Sequence, residues 1–330
     1  MANYRDIKGF KIANFESDPV ENVASWSAGG NLNTARRALA GGGTQTAGLA
    51  FGGYDTNLTG KTEEYNGSSW AEDGDLNTAR AALAGCGVIP AALAFGGGST
   101  TTEAVAEEYN GSSWTETGDL SNARDQLAGA GTQTAALAFG GAGVTASTEE
   151  FGGSSWTAGG NLNTARRYLA GFGLQTAAIG AGGAEPTISA KVEQYNGSSW
   201  TEVGDLNQAR RELSGSGTTT AGIVFAGGPP AYALTEQWNG SSWTEVADLG
   251  TARYRGAGSL PAPSTSTLAF GGTAGGNVAN TEEFSLPPPT SKFLVDGETW
   301  YNVNAANVKL SGTAAGVPAT TWSSGGSLNH

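Results

Sequence analysis

The pentapeptide Asn66-Gly67-Ser68-Ser69-Trp70 returns almost unchanged at residues 110–114, 196–200 and 239–243, and in degenerate form at 152–156. Trp26, Trp70, Trp114, Trp156, Trp200 and Trp243 stand 44, 44, 42, 44 and 43 residues apart. A period this long and regular constrains the architecture before any propensity is weighed. Each unit is too small to bury its own apolar faces, so it must stack on copies of itself.

The rest of the unit keeps the same phase. Ten residues after each tryptophan comes an arginine: Arg36, Arg80, Arg124, Arg166, Arg210 and Arg253. A run of small residues then leads into a glycine pair, at 52–53, 96–97, 140–141, 182–183, 227–228 and 271–272. An acid and an aromatic follow, as in Glu63-Glu64-Tyr65, Glu107-Glu108-Tyr109 and Glu282-Glu283-Phe284. In the first unit, residues 39–43, 47–51, 62–65 and 69–71 read as four short strands separated by turn chemistry. Thr44-Gln45-Thr46 supplies the first turn. Asn66-Gly67 signals a tight type I′ hairpin, in which both central residues take positive φ.

Repeated four-stranded antiparallel units predict an all-β chain folded as a six-bladed β-propeller, whose radial stacking covers both faces of every small sheet. The tryptophans fill the space between blades. Burying one removes about 150–250 Å² of surface from water, a gross gain of about 4–6 kcal/mol. Innermost strands are rich in Ala and Gly because they crowd one axis. The glycine pair, the aromatic, the tryptophan and the arginine together resemble the kelch repeat of galactose-oxidase-like propellers across residues 25–285. The richness in Ala, Gly, Ser and Thr, with Gly297-Glu298-Thr299-Trp300-Tyr301-Asn302 in the tail, also resembles kelch-type proteins of marine tailed phages.

In the sixth unit a proline stands at 289, where a tryptophan is due, and Trp26 has no preceding strands of its own. The N-terminal strand carrying Trp26 is therefore expected to complete the last blade and close the ring. Residues 322–329 closely copy 26–33, so Trp322 competes for that slot or enters a neighbouring subunit, giving a homo-oligomer through the tail. Residues 1–24 read as an arm, 25–285 as the propeller, and 286–330 as a proline-rich linker with a hairpin of strands at 293–301 and 307–310.

A net charge of -13 and a pI near 4.5 argue against nucleic acid and anionic membranes as partners. No run of 18 apolar residues spans a bilayer, and residues 1–11 lack the apolar segment of a secretory signal, so synthesis in the host cytoplasm is expected. Cys86 is the single cysteine and His330 the single histidine. That excludes an internal disulfide, histidine-ligated copper and histidine-activated nucleophiles. No cofactor and no metal are expected, and the chain reads as a non-enzyme. The enzymatic alternative is glycan cleavage by two loop acids, Asp55 and Glu212.

Turns between strands one and two, and three and four, are short and nearly constant, whereas the loops at 54–62, 98–106, 142–148, 184–192, 229–235 and 273–281 vary. Binding is expected on the variable face. Its candidates are the residues that break the repeat: Arg37, Tyr54, Asp55, Arg167, Tyr168, Arg211, Tyr232, Tyr254 and Arg255, with Asp125 and Glu212 beside them. The constant arginines, placed at the start of the innermost strands, read as interblade braces to carbonyls or to an acid such as Glu64. Taken with the phage resemblance, these features imply a virion protein of tail or capsid whose propeller face binds host surface glycan or another virion protein. The alternative is an intracellular kelch scaffold that binds protein.

Overall fold

The computed structural model describes residues 24–98 and 100–286, together with the backbone of Ala13–Phe15, Thr299–Asn302 and Asn307–Leu310. The chain forms two compact units, Ala24–Leu286 and a second made of Met1–Val23 with Pro287–His330. Within the first, six four-stranded antiparallel sheets form the blades of a β-propeller. Blade 1 comprises Ala40–Thr44, Ala47–Phe51, Thr62–Tyr65 and Trp70–Asp73. Blades 2 to 6 begin at Ala84–Val88, Ala128–Thr132, Ala170–Leu174, Ser214–Gly217 and Ala257–Gly258. These first strands pack side by side around the axis, the sixth against the first.

Ser25–Ala28 is the outer strand of blade 6, pairing with Thr281–Ser285 so that Trp26 lies opposite Phe284. The ring is therefore closed by the chain's front end, as expected, while Trp322 lies outside the described residues. In the second unit, Ala13–Phe15 pairs in parallel with Thr299–Asn302, which forms a hairpin with Asn307–Leu310. Arm and tail thus share one sheet rather than standing apart. Residues 293–298, expected in that hairpin, also lie outside the description.

Each interblade space is filled by a tryptophan, held between two rings in every case but Trp243, which meets Trp238 of its own blade and has Ala181 where the other preceding blades have phenylalanine. Trp114 lies 5.0 Å from Tyr109 of its own blade and 4.9 Å from Phe51 of the preceding one. Four indole N–H groups donate across the interface to a threonine hydroxyl: Trp26 to Thr235, Trp70 to Thr281, Trp114 to Thr62 and Trp200 to Thr148. Most of the tryptophan's gain is area burial, and the threonine removes the cost of sequestering the donor.

The constant arginines bond carbonyls and an acid, as expected, but within their own blade rather than between blades, and from a position before the innermost strand. Arg36 precedes the innermost strand, which begins at Ala40, and its side chain turns into its own blade to pair with Glu63 at 3.2 Å. Arg80 pairs likewise with Glu107, Arg124 with Glu149, Arg166 with Glu193, Arg210 with Glu236 and Arg253 with Glu282, all buried. The partner is the first acid of each pair, not Glu64, because successive strand residues face opposite sides. Glu63 also accepts the Asn33 amide at 2.6 Å, so the buried carboxylate has more than one partner. Glu64 accepts instead from Tyr109 of the next blade at 2.8 Å, as Glu150 does from Tyr195 and Glu283 from Tyr65 at 2.6 Å.

It is the arginine's main chain that bridges blades. The Gly53 amide donates to the Arg80 carbonyl at 2.9 Å, and a Cβ on Gly52, where φ is +65°, would sit 2.8 Å from that oxygen. In blade 5 Ala226 takes this conformation at φ 63° and the Gly227 amide donates to Arg253. The operative pair there is 226–227, one residue before the glycines at 227–228.

Two turns also depart from expectation. The connection at 66–69 is a four-residue loop in which only Gly67 has positive φ, because the Asn66 side chain accepts the Ser68 and Ser69 amides at 3.0 Å. In blade 6 the first turn lengthens to residues 259–265, and Leu260 lines the axial channel, so that face is not uniform.

Candidate functional site

The polypeptide between each arginine and its innermost strand must bend sharply to enter the crowded axis. Two residues after the arginine stand Ala38, Ala82, Gln126, Tyr168, Glu212 and Arg255, with φ between 54° and 59°. This left-handed conformation costs a residue with a Cβ about 1–2 kcal/mol. A closed circle of main-chain hydrogen bonds accompanies it. Each of these amides donates to the carbonyl of its counterpart in the preceding blade, at 2.7–3.0 Å, and Ala38 donates to Arg255 to complete the circle.

The circle surrounds the mouth of a cavity of about 310 Å³. Leu39, Leu83, Leu127, Leu169 and Leu213 border both this cavity and the narrower channel of about 90 Å³ between the innermost strands. Blades 1 and 2 contribute only Ala38 and Ala82 to the circle, whereas blades 3 to 6 contribute Gln126, Tyr168, Glu212 and Arg255. Blade 1 adds Arg37 and Tyr54 to the lining, so the mouth is open at blade 2, where only Ala81, Ala82 and Leu83 line it, and walled by polar groups elsewhere.

Cations gather on that wall. The Arg167, Arg211 and Arg255 guanidiniums lie 5.2, 5.6 and 5.9 Å from the Tyr168 ring. Arg37 stacks on Tyr54 at 4.5 Å and donates to Asn277 Oδ1 at 2.7 Å. Arg255 grips both oxygens of Glu212 at 3.0 Å, and that hydrogen bond raises the Arg255 pKa. Among the described residues Arg37, Arg167 and Arg211 make no ion pair, whereas the propeller's other arginines all do. Arg167 donates to the Gln126 side-chain oxygen at 3.4 Å, and Arg211 Nε is buried without a partner.

Of the residues singled out from sequence, Arg37, Tyr54, Tyr168, Glu212 and Arg255 line the cavity. Arg167 and Arg211 flank Tyr168, and Tyr254 lies 5.9 Å from the Arg255 guanidinium. Others fall outside the lining. Tyr232 pairs through its backbone with Arg253. Asp125 accepts from Gln126 through Oδ2 at 3.1 Å and leaves Oδ1 buried without a partner. Asp55 caps its own turn, where the Asn57 and Thr56 amides hold its carboxyl below the usual range. Sequence reasoning passed over Ala38, Ala82 and Gln126; the available signal was variability at the third place of an Arg-x-x-Leu frame kept in every unit but the last, where Gly256 replaces the leucine. Among the described residues no group of three His, Cys, Asp or Glu side chains is placed to hold a metal.

In comparisons with known proteins, no family model and no curated protein matches this chain.

Proposed function

We propose that this protein is a non-enzymatic, kelch-type binding propeller of a tailed-phage virion, carried on tail or capsid, whose axial mouth holds host surface glycan. One observation carries the reading: neighbouring arginines do different work. Arg36, Arg166 and Arg210 brace their blades as buried ion pairs, while Arg37, Arg167 and Arg211, next in the chain, have no acidic partner among the described residues. A scaffold needs only the first set. Cations and tyrosines around a concave, partly apolar cavity are what ligand binding needs.

The non-enzymatic reading is supported by the two loop acids. Glycoside hydrolysis requires one carboxyl held protonated near neutral pH and a second one free to act. Asp55 is shifted the wrong way for the acid, and both oxygens of Glu212 are occupied by Arg255. The virion setting follows from the resemblance of repeat and tail to phage kelch-type proteins, and another virion protein is the second partner class for the same face. Antibodies against the purified propeller should label virions that carry its gene, and excess free protein should compete with adsorption to host cells. Unlabelled virions, or adsorption indifferent to the protein, would refute the proposal.

A further inference from the structure

We infer that the axial cavity takes a carboxylated sugar, with the carboxylate held at the rim by Arg167 and Arg211, which flank the lining residue Tyr168, and the ring hydroxyls facing Arg37 and Tyr54. This deepens the proposed glycan-binding role and rests on it.

Charge comes first. On a chain of net charge -13, the arginines without an ion pair among the described residues of the propeller are these three; Arg37 lines the cavity, and Arg167 and Arg211 flank Tyr168 at its edge. Among the described residues no nearby acid pairs with them: Glu212 is gripped by Arg255, Asp125 accepts from Gln126 and Asp55 accepts its own turn amides. A guanidinium fork matches a carboxylate in geometry as well as charge.

Size and shape come second. A volume of about 310 Å³ lies at the lower end of small-ligand sites, about 300–1,000 Å³. That suits one sugar ring better than an acidic peptide with several side chains. Tyr54 and Tyr168 supply aromatic surface, and the small Ala81 and Ala82 leave the blade 2 side open for the rest of a glycan chain to pass.

Isothermal titration with sodium glucuronate, N-acetylneuraminate, glucose and a glutamate-rich peptide tests the assignment. An acidic sugar should bind, glucose should bind at least about tenfold more weakly, and raising NaCl should weaken binding. The R167A/R211A double variant should lose at least about tenfold in affinity while melting with the wild type, since neither residue braces a blade. Equal binding of glucose, saturation by the peptide alone, or unchanged affinity in the variant would overturn the inference. Competition for host adsorption is read separately. If the variant competes as well as wild type, the sugar-acid assignment fails and the host-binding role stands; if the wild type does not compete, the host-binding role fails.

Discussion

Trp156 is the tryptophan whose interface lacks an acceptor. Its Nε1 is buried without a partner, because the third strand of blade 2 begins with Ala106 where blades 1, 3, 5 and 6 have Thr62, Thr148, Thr235 and Thr281. Trp243 faces Val192 in the same way but reaches the Gly204 carbonyl at 3.0 Å. Ala106→Thr should therefore supply the missing acceptor. The ring packing already matches, with Phe95 5.0 Å from Trp156 against 4.9 Å between Phe51 and Trp114, so the hydroxyl should meet the indole as it does in blade 1. Relieving a buried unsatisfied donor and gaining one net hydrogen bond should stabilise by about 1.5 kcal/mol after the cost of the added methyl. That corresponds to roughly 3–6 °C in melting temperature. The reverse change, Thr62→Val, keeps the shape, removes the acceptor from Trp114 and should cost about 1–3 kcal/mol. Urea unfolding reads both as shifts in midpoint at constant slope. A gain that persists when Trp156 is replaced by Phe would refute the reasoning, since no donor would then remain to be satisfied.

Other outcomes follow from the same geometry. Arg166→Met strands Glu193 in the interior and should destabilise by about 3–5 kcal/mol, whereas Arg167→Ala, one residue on, should change stability by less than about 0.5 kcal/mol. Burial and a glutamate partner push Tyr65 and Tyr195 up to about 12 from 10.0. Their native forms hold the proton more tightly than the unfolded chain, so their stabilisation is complete below about pH 10 and is lost as pH rises through about 12. Stability between those values should fall less steeply in Tyr65→Phe and Tyr195→Phe, as followed by denaturant titration. Burial raises the Cys86 thiol pKa, so Cys86 should resist a disulfide reagent until the protein unfolds, and reaction in the native state would contradict that placement.

The architecture was legible because the repeat reports packing directly: a tryptophan at a fixed phase must meet the same neighbour in every blade, and Trp26 had one vacancy to fill. Legibility stopped where identity and orientation part. Glu63 and Glu64 are the same residue type in adjacent positions, and only strand parity decides which meets Arg36 and which meets Tyr109. At the candidate site, Arg37, Tyr168 and Arg255 were visible because they interrupt a constant frame. The circle that positions them was not, because Ala38, Ala82, Gln126, Tyr168, Glu212 and Arg255 share a main-chain conformation and no side-chain chemistry. The long turn at 259–265 announced itself through Pro261 and Pro263, but constancy in the other blades outweighed that signal.

The central claim is that a single closed ring holds the axial mouth rigid. Native-state hydrogen exchange of the Ala38, Ala82, Gln126, Tyr168, Glu212 and Arg255 amides tests it most directly. All six should exchange together and only through global unfolding, with the same free energy as urea denaturation. Exchange of any one of them at a markedly lower free energy than the rest would mean that the ring opens blade by blade.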